Sequence, residues 1–457
     1  MNKNRGRKTI YTSRNKFEFD SSNDDSSDDY QNALMSSLVA LSNKNKHQRE
    51  YKSDSDEDDD KKPTDMRINF VRNILDGTKL KPMVDFNNVN TESSSIIRLN
   101  KKIMDVRELF TSMNVKLKYL KSGTTGHTFK AISKIDKNVA FAVKVCAYPK
   151  DGYGGMHNMS RPENTELRML SELSNFVIKK YTPHFVLPIG TLNTPITNFI
   201  KVPKTMINLD DEKNEMYKKF IEKYYKNEYE DFVSVLISEW CNGGDLLDYI
   251  RKNHSSMKLR DWVVIIFQIL FTLARVQQDF PAFRHNDMKA NNILVELTDI
   301  KRNRPDCRYC YQLNNTKFII PNINLQIKIW DFDFACIDGY IENNKVNSDW
   351  TKKLNITKKE NKYYDMHYFF NTLITKRFFP QFYDGGVPDE IIDFIHRIIP
   401  EKFRGNGKRL NKHCKIYVDD NGCRKYVNEK GRIQVDTEYT TPAKVIIEDP
   451  LFEKYRF

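Results

Sequence analysis

The stretch RHNDMKANNILVEL, residues 284–297, constrains this chain more than any other. Asp287 and Lys289 stand two apart in a polar run, and Asn292 follows five residues after the aspartate. Ile293-Leu294-Val295 then reads as a short buried strand. Just upstream, residues 258–280 carry Trp262, Ile265, Ile266, Ile269, Leu270 and Leu273 at helical spacing, which predicts a buried helix. A carboxylate, an ammonium and an amide are therefore delivered by one loop between two buried elements. A solvated loop before a strand would use the same letters. The segments on either side decide between the two.

Residues 115–130, VKLKYLKSGTTGHTFK, read as strand, glycine turn and strand, with Gly123 and Gly126 in the turn. A third strand, VAFAVKV (139–145), carries Lys144. Residues 162–173 have helical spacing, with Leu167, Leu170 and Leu173 on one face. From that helix Glu166 can point at Lys144, and Glu163, one turn earlier, competes for it. VSVLISEW (233–240) reads as a buried strand leading into CNGGDLLDYI, where Asp245 opens a helix as its N-cap or first-turn acid. After the central loop, QIKIWDFDFACIDG (326–339) ends a strand on Asp331, and residues 361–374 read as a helix containing Asp365. Residues 416–427 read as a hairpin with an Asn421-Gly422 turn. Residues 441–452 read as a helix capped by Thr441, with Pro442 at its first position.

In this order the segments resemble the motif set of protein kinases over residues ~115–452, and most closely that of the virion serine/threonine kinases of poxviruses and giant viruses. The central stretch is similar to H-R-D-L-x-x-x-N, with Asn286 and Met288 substituted. Lys121 replaces the first glycine of G-x-G-x-x-G, and Asp331-Phe332-Asp333 stands for D-F-G. The resemblance implies an α+β, bilobal fold with a β-rich N-lobe and a mainly helical C-lobe. It implies that Asp287 accepts the acceptor hydroxyl's proton and Lys289 neutralises the transferring phosphate, both as catalytic residues. Asn292 and Asp331 would hold Mg2+. Lys144, paired to Glu166, would meet the α and β phosphates of ATP. Leu120, Gly123, Gly126, Thr128 and Ala142 would line the nucleotide site. Glu239, Trp240 and Cys241 would form the adenine-reading hinge, Ser238 would be the gatekeeper, and Asp245 would meet the ribose. Asp365 would tie down the catalytic-loop backbone.

The same family implies protein substrates with serine or threonine acceptors, membrane or core proteins of the particle as candidate partners, and a place in the virion and host cytoplasm. Three departures stand out: no A-P-E motif, no glycine freedom at Asp333, and Asn286 where an arginine normally grips a phosphorylated loop. None of these removes a group required for phosphoryl transfer, but the altered glycine loop and D-F-D leave open a nucleotide-binding pseudokinase scaffold. A small-molecule kinase is the third reading, and Lys289 argues against it.

Residues 1–65 carry 12 Lys and Arg against 14 Asp and Glu, a net −2, so the +13 of the whole chain puts +15 on the rest. That tail, rich in serine and aspartate, cannot bury apolar surface and is expected to be disordered. A basic body suits acidic partners or is surface solubility alone, and no specific nucleic acid is inferred. Residues 66–114 form an N-terminal extension, 115–239 the N-lobe with an insertion at ~192–230, and 240–457 the C-lobe with insertions at ~298–325 and ~403–440. The first insertion's charged half reads as a solvated helix. Seven cysteines without regular spacing and no leader segment suggest a reducing compartment, and no run is long and apolar enough to span a membrane. Cys307, Cys310, Cys414 and Cys423 are a weak candidate zinc set.

Overall fold

The computed structural model describes residues 61–86, 99, 101–124, 126–298, 308–407, 409–411, 416–418 and 422–457. The expected tail lies outside these residues up to position 60. From Lys61 the chain is already helical in α1 (Lys61–Leu75), which buries Ile68 and Val71 against the first lobe.

That lobe is built on a six-stranded sheet, in the order β1-β5-β6-β4-β3-β2. Its elements in sequence are β1 (Lys102–Ile103), α2 (Val106–Ser112), β2 (Val115–Ser122), β3 (His127–Ser133), β4 (Ala140–Pro149), α3 (Pro162–Ile178), β5 (Pro188–Pro195), α4 (Thr197–Ile200), α5 (Glu215–Tyr225) and β6 (Tyr229–Glu239). β1 runs parallel to β5, and the other pairings are antiparallel. β4 and β6 read as near-continuous apolar runs because they are central strands covered on both faces. β2, at the edge, alternates instead. Leu167, Leu170 and Leu173 of α3 are buried, as their spacing predicts.

The first insertion departs from expectation in two ways. β5 occupies its first residues and β6 its last, so the excursion is confined to 196–228. Its helix is not a solvated face either. α5 buries Tyr217 and Phe220, and Tyr217 packs edge-on to Tyr119 and His127 while its hydroxyl donates to Phe199 O at 2.6 Å. A charged sequence conceals one aromatic stripe at i and i+3.

The second lobe follows the hinge. Its elements are α6 (Leu246–Asn253), α7 (Leu259–Asp279), β7 (Phe283–Arg284), β8 (Ile293–Leu297), β9 (Arg308–Leu313), β10 (Thr316–Pro321), β11 (Leu325–Ile329), β12 (Cys336–Ile337), α8 (Asp349–Lys353), α9 (Tyr364–Leu373), α10 (Asp389–Ile398), β13 (Arg409–Asn411), β14 (Ile416–Val418), β15 (Arg424–Lys425) and α11 (Pro442–Glu448). α7 is the buried spine, with all six of its expected core residues inside. The second insertion is a β9–β10 hairpin packed on that spine through Tyr311 and Phe318, both against Phe267. Cys307 and Cys414 of the four-cysteine set lie outside the described residues, and the hairpin meets the spine through aromatic packing. β14 and β15 pair antiparallel where the Asn-Gly hairpin was expected, and Thr441 caps α11.

Candidate active site

β7 pairs with β12, and β8 pairs with β11, so the loop 285–292 is suspended between two small antiparallel ladders. The β8–β11 register sets Ile293 opposite Ile329, which brings Asn292 beside Asp331; Trp330 N donates to Asn292 O at 3.1 Å. From α9, the fully buried Asp365 carboxylate accepts from His285 N at 2.7 Å and from Asn286 N at 2.9 Å. His285 packs against the Phe332 ring, centroids 5.2 Å apart, and its Nε2 meets Trp330 O at 2.9 Å. The loop backbone is thus fixed by a carboxylate below and the 330–332 segment beside it.

Within the loop, Asn292 Nδ2 donates to both Asp287 O and Asp287 Oδ2 at 2.9 Å, and Lys289 Nζ lies 2.8 Å from Oδ2. The other oxygen, Oδ1, accepts from Arg432 Nη2 at 2.5 Å. Burial works against the Asp287 charge, but the two cations outweigh it and hold the carboxyl below its ordinary value.

Across the cleft, Lys144 Nζ lies 2.5 Å from Glu166 Oε1 and 3.1 Å from Asp331 Oδ1. Burial opposes its charge, yet these carboxylates hold the ammonium well above its usual range. The open choice on α3 is resolved by geometry. Glu163 pairs with Arg161 at 3.1 Å, one turn away. Gly126 lies against β4: a Cβ there would come within 2.8 Å of Cys146 Sγ and 3.1 Å of Val145 O, so only glycine lets the turn descend onto Lys144. Thr128 and Ala142 stand beside it on β3 and β4, and Ala142 is opposite Ser238 on β6.

The site residues named from sequence line one cleft of about 1010 Å³, except Glu166, which stands behind Lys144, and Asp365, which is buried beneath the loop. Asp245 caps α6, accepting from Asp248 N at 3.0 Å, and faces Lys121 at 3.4 Å. Glu239 and Cys241 line the cleft at the hinge, but the Glu239 carboxylate turns away and pairs with Arg67 of α1. Asp331 has one oxygen on Lys144, and Asn292 spends its amide nitrogen on Asp287. A carboxylate and an amide oxygen remain, which suits a hard cation held jointly by a few protein oxygens and phosphate. Among the described residues no group of three or more His, Cys, Asp and Glu could hold a metal alone.

In this segment the residue at positive φ is Asp331, at 64°, and Asp333 is not among the positive-φ residues. Asp333 is instead buried and ion-paired to Lys345, while Asn343 Nδ2 donates to its carbonyl at 3.0 Å. Sequence reasoning missed Arg67 and Arg432 altogether, and it missed the pairing of Lys345 with Asp333. None belongs to a motif, and each meets its partner through the fold.

A profile described as "Poxvirus serine/threonine protein kinase" matches residues 194–415. The chain is 61% identical over 445 residues to a protein of Acanthamoeba polyphaga mimivirus, covering 97% of this chain and 90% of that one. Its name, serine/threonine-protein kinase R400, is itself provisional. A second mimivirus protein with the same style of name, R301, is 32% identical over 141 residues, 30% of this chain and 34% of its own.

Proposed function

The chain belongs to the poxvirus serine/threonine protein kinase family, and from that premise we propose that it transfers the γ-phosphoryl group of ATP, with magnesium, to serine and threonine hydroxyls of proteins. One observation supports this most: the Asp287–Lys289–Asn292 loop and the Asp331–Lys144 pair, backed by Glu166, face a single cleft.

In this reading Lys144, kept charged by Glu166, aligns the α and β phosphates. Lys289 offsets charge on the phosphoryl group in flight, and Asp287 orients the acceptor hydroxyl and takes its proton. The bond from the acceptor oxygen to the γ-phosphorus forms as the bond to the bridging oxygen breaks, and ADP leaves with that electron pair. Magnesium, held by Asn292 and Asp331 oxygens, would neutralise charge on the phosphates. Backbone groups at 239–241 read adenine, and Asp245 meets the ribose. With every transfer residue on the cleft, a scaffold that only binds nucleotide is the weaker reading.

Incubating the purified chain with radiolabelled ATP and a protein acceptor, with and without EDTA, tests the reading. Asp287→Asn should lower transfer by at least about 10²-fold, the lower range of general-base catalysis, while nucleotide still binds. Retention of more than about a tenth of the rate would refute the role of Asp287. Family membership also supports association with the virion and host cytoplasm, with particle membrane or core proteins among the substrates. Phosphoproteomics of purified particles, with and without Asp287→Asn, checks that. No helix among the described residues is long and apolar enough to cross a membrane.

A further inference from the structure

Arg432 lies 145 residues after Asp287 and beyond the span matched by the family profile, yet its guanidinium is built into the catalytic loop. The residue is 5% exposed. Nη2 donates to Asp287 Oδ1 at 2.5 Å, and Nη1 donates to Asn286 O and, at 2.9 Å, to the Tyr364 hydroxyl. The guanidinium carbon lies 3.9 Å from the centroid of the Tyr368 ring. Tyr364 and Tyr368 belong to α9, the helix that also carries Asp365. One helix thus holds the loop twice, directly through Asp365 and indirectly through Arg432.

The arginine is itself held. Its N–H donates to Asn428 Oδ1 at 3.0 Å, and Asn428 N donates to Arg432 O at 2.9 Å, closing a tight turn. Gly431, at φ 74°, makes that turn, and Asn371 Nδ2 of α9 donates to its carbonyl at 2.7 Å. Val427 and Ile433 are fully buried on either side. Asn355 Nδ2 donates to Ile433 O at 2.5 Å, and Asn428 Nδ2 to Leu354 O at 3.3 Å.

Resting on the proposed kinase activity, we propose that Arg432 is a positioning residue of phosphoryl transfer, gripping Asp287 Oδ1 so that the carboxylate presents a fixed lone pair to the acceptor hydroxyl. Lys289 and Asn292 already hold Oδ2, so the third contact removes the carboxylate's remaining rotation. An sp² oxygen has two lone pairs, so one bond from Arg432 leaves Oδ1 able to accept a hydroxyl. The fork geometry matters: one side chain serves a carboxylate, a carbonyl and a phenol at once, which a lysine's point charge cannot. The same contact would also fit a plug that occupies the hydroxyl's place. The partners argue for positioning, because Asn286 O and Tyr364 belong to the site's foundation rather than its mouth.

The test compares wild type, Asp287→Asn, Arg432→Ala and Arg432→Lys for kcat, KM for ATP and binding of a fluorescent ATP analogue. Arg432→Ala should lower kcat about 10²-fold, the effect of roughly an ångström of misplacement, with nucleotide binding unchanged. Added methylguanidine should restore part of that rate. Arg432→Lys, which keeps the charge and covers the case in which the alanine variant does not fold, should fall about tenfold in kcat with KM for ATP unmoved. Wild-type kcat in the lysine or alanine variant would overturn the proposal, and a faster alanine variant would make Arg432 a plug. Loss of nucleotide binding in both variants would overturn it too, leaving Arg432 a part of the fold alone. If wild type itself shows no more transfer than Asp287→Asn, the proposed function fails, and that result is distinct from the others.

Discussion

Replacing Arg67 by alanine should destabilise the chain by about 3 kcal/mol, the lower part of the range for breaking a buried ion pair. Arg67 meets Glu239 twice, Nε to Oε2 at 2.9 Å and Nη2 to Oε1 at 2.5 Å, and also donates to Pro183 O and Phe185 O at 2.8 and 2.6 Å. The paired side chains are only 15% and 10% exposed. Without Arg67 the Glu239 carboxylate keeps the Leu187 N–H, 2.9 Å away, and the field of Lys328. That residual support is why the lower end of the range applies. Urea unfolding followed by tryptophan fluorescence gives the loss, since Trp240 adjoins Glu239. Arg67→Ala/Glu239→Gln removes the stranded charge, so the double variant should be more stable than additivity predicts, by about 1.5 kcal/mol. Burial works against the Glu239 charge, but Arg67 and Lys328 outweigh it and hold its pKa below the ordinary value. The pair therefore contributes above the usual carboxyl range, and the difference between wild type and Arg67→Ala should shrink as pH falls through and below that range. A loss under about 1 kcal/mol, or additivity within about 0.5 kcal/mol, would refute the reasoning.

Three further outcomes are expected. Ser238, opposite Ala142 on the cleft wall, leaves room that a larger side chain would fill, so inhibitors with a bulky adenine substituent should lose potency in Ser238→Met; equal potency on both proteins would contradict this. Phosphatase treatment should leave the initial transfer rate unchanged. Arg284 already holds the 355–359 segment through Asn355 O and Lys359 O, each at 3.0 Å, and Asn286 has no charge to neutralise; a rate lost and then regained after incubation with ATP would refute it. Asp333→Gly, which recreates D-F-G, should destabilise by about 3 kcal/mol or more in urea, because it strands the buried Lys345; unchanged stability would show the pair to be dispensable.

Local spacing made much of this legible. Asp287, Lys289 and Asn292 come from one turn, and strand register alone brings Lys144 between Thr128 and Leu236. Glu166 was separable from Glu163 only as a preference, because both lie on faces of α3 that could turn inward; Arg161 decides which is taken elsewhere. The insertion was misjudged since β5, PIGTLNTP, is buried yet lacks an apolar run, and since Tyr217 and Phe220 are surrounded by charge in sequence. Arg67 and Arg432 could not be read at all. Their partners lie 172 and 145 residues away, and a lone arginine in a motif-free stretch has no periodicity to report it.

The clasp between Asp287 and Arg432 also sets a clock on synthesis. A ribosome adding about 5–20 residues per second needs roughly 7–30 s to travel the intervening stretch, during which the 285–292 loop exists without its arginine. The nascent chain can close the opposite wall of the cleft early, because Lys144, Glu166 and Asp331 all precede that interval's end. The loop's final geometry waits for the far turn at Asn428–Arg432, so half-made chains carry a loop that still lacks its third restraint.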